Sequence, residues 1–126
     1  MTQVLIADND VAVSALLAEV LVRAGLTVEH AFDGEQARLK ARAPGVRVLV
    51  CDLDMPRVTG IEVLESLANL ANAPATVVIS GYFDDSIRLR LGKLAFVRET
   101  LRKPFDLLAF AGLVRSLAAG ASASAF

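Results

Sequence analysis

Three short apolar runs, VLIA at 4–7, VLVC at 48–51 and VVIS at 77–80, lack the polar alternation of a half-exposed strand, and polar residues close each of them. This constrains the fold more than any other feature. Such runs belong to strands buried on both faces, which is the situation in a parallel sheet covered by helices. Strands are expected at 3–7, 26–31, 46–51, 75–80 and, alternating with one exposed face, 95–102. Helical stretches lie between them. In 11–24, Val13, Leu16, Leu17, Val20, Leu21 and Ala24 share one face, and Gly25 follows as a stop. A polar helix at 33–43 ends at Pro44-Gly45; others are expected at 61–70, with Ile61, Leu64 and Leu67 or Ala68 recurring on one side, at 84–93, breaking near Gly92, and at 106–119. The alternation predicts an α/β fold of (βα)5 type, doubly wound about a five-stranded parallel sheet. Residues 1–119 form one domain in this reading, and GASASAF at 120–126 is a flexible tail or linker stub.

Composition narrows the function classes. A net charge of −1 provides no basic footprint, so direct binding to nucleic acid is not expected. No apolar stretch approaches the roughly 20 residues that span a bilayer, so no membrane association is expected. MTQVLIADND lacks a basic region followed by a long apolar run and a cleavage site, so no secretory signal is expected. Cys51 is the one cysteine, so it has no internal disulfide partner, and no Cys/His cluster suggests zinc. A cytoplasmic location fits these features.

In open sheets of this kind ligands lie beyond the carboxyl ends of the strands. That edge would gather Asp8, Asn9 and Asp10, then Asp52 and Asp54, then Ser80 and Gly81, then Lys103 and Pro104. Two neighbouring carboxylates repel unless a cation sits between them. An oxygen-only site with few protein ligands, open to water and a phosphate, suits Mg2+. Lys103 is a point charge on a flexible stem, suited to an anion, and Ser80 can donate a hydrogen bond. An aspartate can act as a nucleophile toward phosphorus, and phosphoryl transfer needs mostly positioning and charge neutralisation. Each residue alone has a plainer reading. Asp10 is a helix N-cap, Asp52 a turn residue, Asp54 a solvated or capping acid, Ser80 a turn former before Gly81 and Lys103 a surface lysine. His30 is read as a strand residue satisfied by packing or water, without a role. The convergence of the others at one edge outweighs their separate plain readings.

The ordered segments VLIADND, VLVCDLDMPRVTGIEVL, VVISG and LRKPF cover the chain from about Val4 to Leu117. In combination they resemble the response-regulator receiver domain of two-component signal transduction. The resemblance implies a flavodoxin-like fold with strand order 2-1-3-4-5. It implies that Asp52 accepts a phosphoryl group from a histidine kinase or phosphotransfer protein, that Lys103 pairs with that group, and that Ser80 is the switch hydroxyl. Asp8, Asn9, Asp52 and the backbone carbonyl of Asp54 would hold Mg2+. Asp54 and Tyr82 stand where phosphoryl lifetime is tuned, and Met55, Pro56 and Gly60 shape the loop after Asp52. The implied activity is self-phosphorylation and self-dephosphorylation, not turnover of a substrate. The implied partners are a downstream protein or output domain, with the fourth helix, fifth strand and fifth helix as the contact face. That face could also form a homodimer, and the fifth helix is apolar around much of its girth through Leu107, Leu108, Phe110, Leu113, Val114 and Leu117.

Two residues depart from the family pattern. Asn9 stands where a second acid is usual, so Mg2+ should bind more weakly. Thr100, three residues before Lys103, stands where an aromatic is usual, and Phe96 has the wrong spacing to replace it. These departures motivate an alternative, a pseudo-receiver that binds partners without phosphorylation. A remoter alternative is a haloacid-dehalogenase-like phosphatase, whose nucleophile strand VLVCDLD resembles. Only Asp106 follows Lys103 in place of the acidic pair such an enzyme needs, and the chain has no room for its cap.

Overall fold

The computed structural model describes residues 2–55 and 58–120; Pro56 and residues 121–126 of the expected tail lie outside the described residues. The elements are β1 (Val4–Ala7), α1 (Val11–Arg23), β2 (Val28–Ala31), α2 (Gly34–Lys40), β3 (Val48–Asp52), α3 (Gly60–Ser66), β4 (Ala75–Ser80), α4 (Asp85–Gly92), β5 (Val97–Arg102) and α5 (Leu107–Ala118). All strand pairings are parallel, in the order β2-β1-β3-β4-β5. This is the expected (βα)5, flavodoxin-like arrangement.

The period of two along a strand sends alternate side chains to opposite faces, and the unbroken apolar runs fill both. Val4, Ile6, Val48, Val50, Val77 and Ile79 meet Leu17 and Leu21 of α1 and Phe110 and Val114 of α5. Leu5, Ala7, Leu49, Cys51 and Val78 meet Ala37 of α2, Val63 and Leu64 of α3 and Leu91 of α4. Each helix begins at a side-chain cap, supplied by Asp10, Asp33, Thr59, Asp84 and Asp106 in turn. Their oxygens satisfy amides that the first helical turn leaves without partners.

Some boundaries and faces differ from the sequence reading. Asp52 is the last residue of β3 and not a residue beyond it, since its ladder with β4 continues to Ile79. Strand β5 begins at Val97 because the preceding chain turns, with the Val97 amide donating to the Leu94 carbonyl. Helix α3 stops at Ser66, and the Leu67, Ala68 and Leu70 amides bond three residues back, a tightening common at helix ends. On α1 the buried face is Ser14, Leu17 and Leu21, whereas Leu16 is 47% exposed. Ser14 can be buried because its hydroxyl meets Nδ1 of His30, whose ring stacks on Phe32.

Candidate functional site

The β1–β3 register pairs Ala7 with Cys51, so the next residues, Asp8 and Asp52, emerge side by side at the carboxyl edge. Both are buried, 2% and 3% exposed. Asp52 is fully engaged: Oδ1 accepts the Asp54 amide at 2.8 Å, and Oδ2 accepts Lys103 Nζ at 2.8 Å. Lys103 reaches this point because its own amide donates to the Ser80 carbonyl at 2.9 Å, continuing the β4–β5 edge. Its peptide with Pro104 is cis.

Asp8 is only half satisfied. Oδ1 accepts the Asp10 amide at 2.9 Å, while Oδ2 is buried without a hydrogen-bond partner. Burial holds its carboxyl above the ordinary carboxylate range; Asp52 adds to the shift, against the opposing Asp10 amide and Lys103 charge. Burial works against the charge on Lys103, but the Asp52 hydrogen bond and the charges of Asp52, Asp8 and Asp54 outweigh it, and its pKa is raised. Beneath the pair, burial and the same two carboxylates push the Cys51 thiol up, out of the reactive range.

The other sequence candidates take different positions. Ser80 is buried, and its hydroxyl donates to the Tyr82 carbonyl at 2.8 Å and accepts the Tyr82 amide at 3.2 Å, so it closes its own loop. Asn9 and Asp54 are exposed at the rim. Asp10 caps α1 through the Val13 amide, which is its plain reading. Tyr82 is exposed on the loop after β4, and Thr100 is exposed on β5 beside an open cleft of about 300 Å³ that also touches Phe83, Arg88 and Val97. His30 is satisfied by Ser14 and Phe32, as a residue without a role would be.

The donor set suits a small hard cation: carboxylates from two adjacent strands, one buried oxygen with no donor, an amide at the rim, and oxygen atoms throughout. Among the described residues no group of three or more His, Cys, Asp or Glu side chains is placed to hold a metal. One residue near the site escaped the sequence reading. Gly34 was read only as part of a polar helix, yet it lies against Val58 of the loop after Asp52. Its signal was a glycine in the first turn of a helix, where it is a poor helix former.

The model of the response regulator receiver domain matches residues 4–115. The chain is 32% identical over 108 residues to the transcriptional regulatory protein CpxR of Escherichia coli K12, covering 84% of this chain and 44% of that protein. It is 31% identical over 119 residues to the regulatory protein VirG of Rhizobium rhizogenes, covering 91% of this chain and 47% of that protein. The chain thus spans less than half the length of these curated relatives. Among solved structures, a response-regulator signal receiver domain from Bermanella marisrubri is 30% identical with a TM-score of 0.78, covering 93% of this chain and 98% of that one. A CheY-like receiver domain from Methanospirillum hungatei shares the fold with a TM-score of 0.87 at 18% identity, covering 98% of both chains. Among the described residues no helix is long and apolar enough to cross a membrane. The motifs, the sheet order and the matched span agree, and the chain belongs to the response-regulator receiver domain family.

Proposed function

We propose that this domain is a phosphoryl-accepting signalling receiver in which Asp52 is the acceptor. The observation that carries this reading is the buried Asp8–Asp52 pair with Lys103 bound to Asp52 Oδ2 at the carboxyl edge of the sheet. An Asp52 carboxylate oxygen attacks phosphorus, the bond from phosphorus to the donor's histidine nitrogen breaks, and the nitrogen keeps that electron pair. Lys103 neutralises charge on the transferred group. The Ser80 hydroxyl leaves the Tyr82 carbonyl to donate to a phosphoryl oxygen, which releases the loop after β4. Receiver domains generally use Mg2+ at the acidic pocket. Here Asp8, Asn9, Asp52 and the Asp54 carbonyl would hold it, and it would supply charge neutralisation during transfer.

The donor in this reading is a histidine kinase or phosphotransfer protein, and a cytoplasmic location goes with it. A downstream protein or output domain would meet the face of α4, β5 and α5, where Leu89 and Leu108 are exposed; a homodimer would use the same face. A phosphorylation-independent binding module is the second reading, favoured by the amide of Asn9 standing beside Asp8 and by Thr100 on β5. The phosphatase reading has no second acid available, because Asp106 is engaged as the cap of α5 through the Leu108 and Ala109 amides. Incubation with phosphoramidate and Mg2+ followed by intact-mass measurement should add one phosphoryl group to the wild type and none to Asp52→Ala. No addition to the wild type, or equal addition to both, would sink the acceptor reading.

A further inference from the structure

We propose that Gly34 is a positioning residue for the loop after Asp52, although α2 lends no group to the acidic pocket. A Cβ built at Gly34 would lie 1.8 Å from the Val58 carbonyl oxygen and 2.7 Å from Val58 Cβ. The first contact is with backbone, which cannot swing aside as a flexible side chain can. Gly34 is not among the glycines at positive φ, so space and not conformation demands glycine here. Helix propensity alone would favour alanine at this place.

The same loop is also stopped where it leaves β3, by the start of α3. A Cβ at Gly60 would lie 2.4 Å from the Asp52 carbonyl oxygen and 2.5 Å from Leu53 Cα, and the Gly60 amide donates to the Leu53 carbonyl at 3.1 Å. Thr59, next to Val58, is held by its reciprocal cap with Glu62. Asp54, whose amide holds Asp52 Oδ1, lies between Leu53, on which Gly60 packs, and Val58. The first turn of α2 therefore fixes how far Val58 can move, and through the loop where Asp54 sits against Asp52. The consequence for magnesium rests on the proposed function, in which the Asp54 carbonyl is a ligand; the consequence for loop position does not.

Gly34→Ala tests both parts, with Gly112→Ala as control, since nothing lies within 4 Å of a Cβ at Gly112. In amide NMR spectra without magnesium, Gly34→Ala should shift Leu53, Asp54, Thr59 and Gly60 as well as its helical neighbours. In phosphoramidate labelling, the magnesium concentration for half-maximal rate should rise about tenfold, as for groups that orient a metal ligand, with the maximal rate less affected. The control should change neither. Shifts confined to 32–41, or an unchanged magnesium requirement in a chain that otherwise labels, overturn the proposal. If Gly34→Ala does not fold, Val58→Ala decides: it keeps glycine at 34, removes the Val58 methyl groups that pack the loop on the core, and should raise the magnesium requirement, and no rise overturns the proposal. If the wild type takes up no phosphoryl group, the acceptor reading fails while the NMR comparison still decides whether Gly34 positions the loop.

Discussion

At the scale of residues, Asp8 and Asn9 divide the burden that two acids would share. Asp8 is buried with one oxygen lacking a donor, and Asn9 is exposed at the rim. An amide oxygen can ligate a hard cation but adds no charge, so magnesium should bind here less strongly than with an acid at position 9. Asn9→Asp should therefore tighten magnesium binding by roughly tenfold, since each 1.4 kcal/mol is a factor of ten and a further carboxylate beside a divalent ion contributes about that much at a partly solvated site. Isothermal titration or fluorescence with increasing magnesium checks this, and equal affinities would show that charge count at position 9 does not limit the site. The identities of Asp8, Asn9, Asp52 and Lys103 and their shared edge were legible in the sequence. The ion pair between Lys103 and Asp52, the orphaned Asp8 oxygen and the inward turn of the Ser80 hydroxyl were not, because each depends on a rotamer set by neighbours far away in the chain.

At the scale of elements, the helix starts follow local chemistry. Asp10 was legible as a cap; Asp33, Asp84 and Asp106, which fall inside the expected helices, prove to be the caps that precede them. Thr59 adds a full capping box, with its amide donating to the Glu62 carboxylate at 2.9 Å. This cap also ends the loop that carries Asp54. Thr59→Ala should cost about 1 kcal/mol of stability, read as a lower urea midpoint with an unchanged slope. Helix faces were less readable. On α1, every position but Glu19 and Arg23 is apolar or small, and packing chose Ser14, Leu17 and Leu21 over Leu16. Periodicity cannot rank a serine above a leucine; the His30 ring across the β2 edge does so by satisfying the hydroxyl. On α5, Phe110, Val114 and Leu117 face the core, while Leu108 is 82% exposed, so the apolar girth noted in the sequence is only partly core.

At the scale of the whole molecule, the two-faced core supports an edge that carries an electrostatic cost. The Asp8 carboxyl titrates above its ordinary 3.8 in the folded chain, chiefly through burial. The folded state therefore binds this proton more tightly than the unfolded state. Stability from this group is fully present below 3.8 and is lost as pH rises through the folded value. Glu29, Glu62 and Glu65 are held below their ordinary 4.5 by hydrogen bonds, to Lys40, the Thr59 amide and Arg90 respectively, and have the opposite sign. They are exposed, so screening keeps their contribution small. In magnesium-free buffer Asp8→Asn should match the wild type in acid and become progressively more stable than it as pH rises to neutrality. Added magnesium should stabilise the wild type and not the variant. Urea denaturation across pH, with and without magnesium, measures both; a wild type more stable than Asp8→Asn at neutral pH without magnesium would contradict this account.

The chain's own pattern determined the alternation of five strands and five helices, the capping residues and the set of polar groups at the strand ends. These follow from local rules: backbone periodicity, turn chemistry and the burial of unbroken apolar runs. Tertiary structure decided what those rules cannot reach. The parallel register of β1 on β3 places Asp8 beside Asp52, and the end of β5 delivers Lys103 across 51 residues of sequence to the same carboxylate. The close approach of α2 to Val58 makes Gly34 a residue of the loop's geometry rather than of its own helix. Contacts between segments distant in sequence depend on which surfaces pack and at what distance, and no local pattern encodes that distance.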